Sequence, residues 1–386
     1  MTDHDHTHEH AHEHTHDHMA FEAPDTIRSM LLAAWAFLSS LSPMQRSACE
    51  FAMDHPSRAD WDFIPKPDRH GIPLSQLDGQ QRQHAHQMLR SGLSLRGYTQ
   101  ALEIMAMENI LRELEWPMLG LGTAQFRNPD LYYLCFYGRP GFEDTWGWRF
   151  LGHHLSLSYT IVGQRWLSVT PSNMGSQPAS EGVLAPLRMD EDLGFEILHG
   201  LDSSQRGATI IHDVAPADYT TRQVPRIGKV EYPDYVDLGI PWYQISDADR
   251  EALKFEKDNP RGVTGADMPR NQSLNLMDLV ESFVGRMPDE VAERQMERIK
   301  STGLDNLWFC WAGGVERGTS HYYRIQGADI LIEFDNAIDD GNHIHSVWRD
   351  YRNDLGHQLL LDHYEHEHVH GHHLDTRLKS SVPDEE

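Results

Sequence analysis

Two histidines one residue apart, His343 and His345, lie in the run His343-Ile344-His345-Ser346-Val347-Trp348-Arg349. The alternation of apolar and polar residues there predicts a strand. On a strand, residues i and i+2 point to the same face, so the two imidazoles can share one cation. Imidazole nitrogen suits zinc, copper, iron and nickel. Two donors do not complete a site, so other elements must supply the rest. His154, Glu333 and His321 are the candidates, with His153 beside them as a further ligand or an outer donor. A transition metal ion held by three or four N and O groups, with a position left for water, supplies Lewis-acid or oxidative chemistry. Zinc comes first, with iron or copper as alternatives. Glu333, Asp329 or His154 would then serve as the proton acceptor. The competing reading is a pair of hydrogen-bonded strand histidines beside the loop at 336–342, and both stay open.

The strands that carry these residues come in two blocks. Leu134-Cys135-Phe136-Tyr137-Gly138 aligns with Phe309-Cys310-Trp311-Ala312-Gly313, and Trp148-Arg149-Phe150-Leu151-Gly152 with Tyr323-Arg324-Ile325-Gln326-Gly327. One offset, 175 residues, relates Cys135 to Cys310 and Arg149 to Arg324. Leu155, Leu157 and Tyr159 then fall on Ile330, Ile332 and Phe334, which predicts two similar meanders with those residues facing the core. Asp329, Glu333 and Asp335 take the opposite parity, as do His154, Ser156 and Ser158. The paired Gly152 and Gly327 suggest turns that need positive φ or a close approach of the chain.

Helical periodicity precedes each block. Ile27, Met30, Leu31, Ala34, Phe37 and Leu38 recur at spacings of three and four, and helices are also expected at 78–91, 98–115, 190–201, 247–255, 274–284 and 289–301. The stretch 170–178, rich in Pro, Ser, Asn and Gly, reads as loop. The expected architecture is α+β and internally duplicated, with helices followed by antiparallel β-meanders sharing one core and with flexible His-rich termini. The segments are a disordered His-rich tail (1–20), a helical region with the first meander (21–185), a connecting region (186–245), a helical region with the second meander (246–362) and a His-rich acidic tail (363–386).

Arg149 and Arg324 recur in the repeat. Arginine beside a cavity suits a carboxylate-bearing ligand, so both are candidates for the catalytic site; structural ion pairs are the alternative. Cys135 and Cys310 sit in apolar strands and read as buried small hydrophobes. With Cys49 they make three widely spaced cysteines, which is neither a disulfide framework nor a cysteine zinc site.

The termini hold 14 of the 26 histidines: eight alternate from His4 to His18, and six lie between His363 and His373. Mixed His and carboxylate tracts read as metal binding, so metal ions are the expected partners of the tails; a merely solubilising role is the alternative. The net charge of −26 over 386 residues argues against nucleic acid and anionic membrane as partners, since both favour a positive surface. No run approaches about 18 apolar residues, so no membrane span is expected. The acidic N-terminus has no leader pattern, and the expected location is cytoplasmic. Walker, dinucleotide, His-Glu-x-x-His and Gly-x-Ser-x-Gly motifs are absent.

The run Trp146-Gly147-Trp148-Arg149-Phe150-Leu151-Gly152-His153-His154-Leu155-Ser156-Leu157 resembles the central motif of a widespread bacterial family, the domain of unknown function numbered 3500. Tyr322-Tyr323-Arg324-Ile325, Ile332-Glu333-Phe334-Asp335-Asn336, the His343 to Asp350 run and Asn353-Asp354-Leu355-Gly356 are similar to it too. The resemblance covers roughly residues 25–365, leaves the His-rich tails outside and implies no assigned reaction. The expected function is a metal-dependent enzyme with a His/carboxylate site, acting by hydrolysis or oxidation; a small molecule is the candidate substrate, and no residue pattern names it. The alternative is a non-enzymatic protein for storage or delivery of zinc or another transition metal.

Overall fold

Local sequence accounts for the helices. The computed structural model describes residues 20–371, apart from 67, 143, 222 and 228–242. Helix α1 (Pro24–Ser40) buries Ile27, Met30, Leu31, Ala34, Phe37 and Leu38 along one stripe. Helices α2 (Pro43–Cys49) and α3 (Gly79–Ser91) both open on capping boxes, Ser42 with Gln45 and Asp78 with Gln81, which satisfy amide groups left free at a helix start. Helix α4 (Leu95–Leu119) is capped by Ser94. Six more follow: α5 (Arg188–Gly200), α6 (Ser203–Thr209), α7 (Asp247–Leu253), α8 (Arg270–Val284), α9 (Asp289–Thr302) and α10 (His357–Gly371).

One large mixed sheet runs through the described chain. Short strands β1 (Phe21–Glu22), β2 (Glu50–Phe51) and β3 (Ile72–Pro73) precede the first meander, β4 (Tyr133–Gly138), β5 (Thr145–Gly152), β6 (Leu155–Val162) and β7 (Trp166–Ser168). Then come β8 (Ser172–Ser176), β9 (Ile210–His212) and β10 (Val263–Thr264). The second meander is β11 (Trp308–Gly313), β12 (His321–Gln326), β13 (Ile330–Ile338) and β14 (His343–Asp350). The spatial order is β10-β11-β12-β13-β14-β8-β6-β5-β4-β2.

The two meanders share a register. Cys135 pairs with Arg149 and Cys310 with Arg324; Gly138 pairs with Trp146 and Gly313 with His321. Arg149 pairs with Ser158 and Arg324 with Glu333.

Sequence composition misleads at β8. Residues 170–178 are no simple loop, because Ser172–Ser176 forms a buried strand. It pairs with β14 on one side and β6 on the other, so it is the seam between the meanders. Its Ser, Asn and Gly residues have poor strand propensity; pairing on both sides overrides it. His153 and His154 likewise lie outside β6, in the two-residue turn between β5 and β6, and positive φ falls on His154 (61°) rather than on Gly152 or Gly327. Gly152 instead answers to close packing: a Cβ there would lie 2.3 Å from the Tyr132 ring.

Strand parity separates two faces. Leu134, Phe136, Phe150, Leu155, Leu157, Phe309, Ile325, Ile330, Ile332 and Phe334 join the helices in the main core. The other face carries Arg149, Tyr322, Arg324, Glu333, Asp335, His345 and Arg349, all buried. Irregular segments cover it, bringing Trp61 and Phe63 from one stretch and Tyr219 from another against Val347. The described residues of 214–227, which leave out 222, are irregular as expected. Residues 228–239, the first tail up to 19 and the second tail from 372 lie outside the described residues, whereas 363–371 continue helix α10.

Candidate metal centre

Three histidines converge on the polar face at the β8 seam. His343 and His345 come from the start of β14, and the left-handed backbone of His154 brings its ring to them from the β5–β6 turn. His154 Nε2 lies 2.9 Å from His343 Nε2, and His345 Nε2 lies 3.2 Å from His343 Nε2. One ligand atom from each of the three lies within 4.8 Å of the other two.

The backbone of His154 is held firmly. Its amide donates to Phe63 O, and its carbonyl accepts from Gly175 N at 2.7 Å and from Asn173 Nδ2 at 3.3 Å. Gly175 pairs with His345 in the adjacent strand. A Cβ at Gly175 would meet Ile344 O at 2.6 Å and His154 Cδ2 at 3.2 Å, so this glycine makes room for the ring.

Carboxylates stand behind two of the rings. His343 Nδ1 is 3.7 Å from Asp339 Oδ2. His345 Nδ1 is 3.4 Å from Asp218 Oδ1 and 3.7 Å from Asp335 Oδ2. Behind His154, the ring of His153 stacks at 3.7 Å between centroids. His153 Nδ1 in turn meets Glu108 Oε1 at 2.5 Å, and Arg127 reaches His153 while held by Glu115. Phe63 packs on His345 at 4.9 Å.

Burial sets the protonation. Desolvation, with neighbouring His153, His343 and His345, pushes the His154 pKa well below the usual imidazole value. Burial lowers His343 to about 4, against an opposing pull from Asp339. Both rings are neutral at pH 7, which leaves nitrogen lone pairs for a cation.

The family model described as Protein of unknown function (DUF3500) matches residues 23–357. The chain belongs to that family. No curated protein and no solved structure matches it.

In this DUF3500 chain the other sequence candidates are dispersed. His321 points to the helix face, stacked on Trp311 with Nδ1 2.8 Å from Thr319 O. It shares the parity of Tyr323 and Ile325, which removes it from the polar face where His343 and His345 lie. Glu333 is on the correct face, but its oxygens accept from Thr220 N and Oγ1, Thr221 N and Oγ1, and Tyr322 OH. A carboxylate so occupied anchors a covering loop. Asp329 precedes β13, whereas the residue paired with His345 is Asp335; six residues of strand separate the two by about 20 Å. His153 supports His154 from behind.

The repeated arginines also hold down the covering segments. Arg149 Nη1 donates to Ser57 O at 2.6 Å and to Asp60 O. Arg324 Nη1 donates to Thr220 Oγ1 at 3.2 Å, its guanidinium over Phe255. Arg349 bonds Asp354 and Val224 O in the same way.

Asp218, Asp339 and Glu108 were not among the sequence candidates. Glu108 carried a signal: it lies on the buried stripe of α4 with Ala101, Ile104, Met105 and Leu111, where a carboxylate calls for a partner. Asp218 sits in an irregular segment whose contact with β14 follows from no periodicity.

Proposed function

We propose that this chain is a metal-dependent enzyme whose centre is His154, His343 and His345, acting by hydrolysis or oxidation on a small-molecule substrate. The observation that supports it is the convergence of three inward Nε2 atoms at 2.9 and 3.2 Å. Tetrahedral zinc with nitrogen at about 2.0–2.1 Å separates its donors by about 3.4 Å, so small ring movements suffice. Three protein donors are the usual number in catalytic zinc sites, where the fourth position stays open. A bound ion of this kind supplies Lewis-acid polarisation and a more acidic water. The chain's own part is to orient the donors. Asp339 lies 3.7 Å from the outer nitrogen of His343, a carboxylate on the side that favours the tautomer with the Nε2 lone pair inward. Phe63 shields His345 from solvent, and the 15 % exposure of the His343 side chain puts the approach on that side.

A second reading, storage or delivery of zinc or another transition metal without catalysis, draws on the 14 tail histidines. Zinc titration separates the two, using the full-length chain and a full-length variant with those histidines replaced by asparagine. The enzyme reading expects one or more tight ions to survive the replacement; loss of all tight binding overturns it. A panel of activated esters and phosphoesters, with His345→Asn as control, then tests turnover.

A further inference from the structure

The outer nitrogen of His345 has surroundings unlike those of His343. It faces two carboxylates, Asp218 Oδ1 at 3.4 Å and Asp335 Oδ2 at 3.7 Å. Both separations exceed the 2.7–3.2 Å of a normal N–H···O bond. Asp335 is fully buried, and neither of its oxygens receives a well-aligned hydrogen bond; His345 Nδ1 is also buried and without one. The Ala337 amide is the backbone donor that faces Asp335. Asp218 and Glu333 add negative charge nearby. Among the described residues, the ion-pair partner of Asp335 is His345 itself. Buried polar atoms normally have partners, and a buried carboxylate normally has a cation, a donor or a proton.

The distances fit one kind of partner. An ion with nitrogen and oxygen donors at about 2.0–2.2 Å spans about 3.4 Å between donors at a tetrahedral angle and about 3.6 Å at 120°. The two observed separations bracket that span.

We propose a second divalent-cation site formed by His345 Nδ1, Asp335 and Asp218, so that the His345 imidazole bridges two ions. The inference rests on the three-histidine centre proposed above, which takes His345 Nε2. The second ion takes the place of the Nδ1 proton, which leaves to solvent, and the two carboxylates offset its charge. Asp335 and His345 are paired across β13 and β14, so the rigid sheet sets their separation. Asp218 arrives from the covering segment, where its Oδ1 also accepts from Tyr219 N at 2.8 Å and its Oδ2 from Gln223 Nε2 at 3.3 Å; one lone pair of Oδ1 faces His345 and closes the site over the sheet.

Zinc stoichiometry tests this in the full-length chain with the 14 tail histidines replaced by asparagine. Two tight zinc ions per chain are expected, falling to one in Asp335→Asn and in Asp218→Asn. One zinc in the parent overturns the second site and leaves the centre standing; none overturns both proposals. Two retained in both aspartate variants also overturns the second site. If Asp335→Asn fails to fold, Asp218→Asn decides, because its side chain is 24 % exposed. Loading with copper(II) gives an independent readout. An imidazole-bridged pair is magnetically coupled, so the parent should lose the isolated-copper resonance that both aspartate variants show; an isolated resonance in the fully loaded parent overturns the bridge.

Discussion

His154 and His343 stand 189 positions apart in sequence, yet their Nε2 atoms lie 2.9 Å from each other. Each comes from a different meander, and β8 between them sets the gap. Replacement of either by asparagine should lower zinc affinity by more than the roughly 10–100-fold typical of outer-shell changes. Far-UV circular dichroism should be unchanged. Calorimetric titration checks the first, and unaltered affinity removes that residue from the centre.

Gly175→Ala should damage the centre without touching a donor. The added methyl meets Ile344 O and crowds His154 Cδ2, so the seam must spread or the ring must turn. We expect about 1–3 kcal/mol of destabilisation, in the range of overpacking, together with weaker zinc binding. Urea unfolding and titration of one preparation measure both; a variant matching the parent in both would show that the glycine gives no needed room.

On the helix side, Asp190 is joined to Arg286 at 2.5 Å and accepts from Ser282 Oγ at 2.6 Å, with the two charged side chains almost fully buried. Asp190→Ala leaves the guanidinium with no carboxylate in that contact. Breaking a buried pair this way costs about 3–5 kcal/mol. Urea unfolding monitored by tryptophan fluorescence should show that loss, and a change under about 1 kcal/mol would mean that Arg286 finds another acceptor.

His321 gives a pH dependence with a definite sign. Burial lowers its pKa to about 4, with the Thr319 carbonyl pulling upward and Arg317 adding to the fall; Glu191 lies 3.4 Å from its Nε2. An unfolded imidazole titrates near 6.5. The folded value is depressed, so this residue's stabilising share is complete above about pH 6.5 and is lost as pH falls towards about 4. The slope is at most about 1.4 kcal/mol per pH unit for one proton. His321→Phe can keep the stack on Trp311 and should flatten unfolding curves between pH 6.5 and 4 by that share. His154 and His343 act in the same direction and preserve the remainder. An unchanged slope would mean that His321 does not titrate in this window.

Much of this geometry was legible in the sequence. The stripe from Ile27 to Leu38 gave α1, and a constant offset between Cys135–Arg149 and Cys310–Arg324 anticipated equal registers. Parity placed Glu333 and Asp335 opposite Ile332 and Phe334. The same rule, applied to His321 against Tyr323 and Ile325, would have sent it to the helix side. Strand β8 was hidden because Ser172, Asn173 and Gly175 resemble a linker; only two-sided pairing makes them a strand. Repetition of Arg149 and Arg324 suggested chemistry, but repeated packing needs recur as readily as repeated sites. Asp218 was illegible because long-range closure of an irregular segment leaves no period to read.

The seam at β8 has a consequence for biogenesis. The first meander ends at Ser168 and carries one histidine of the trio, while the other two belong to one of the last strands to be synthesised. A chain emerging from the ribosome therefore presents β8 with one neighbour missing until β14 arrives. Docking of that strand brings the trio together and joins the two meanders in a single event, so metal acquisition at this centre would report that the seam has closed.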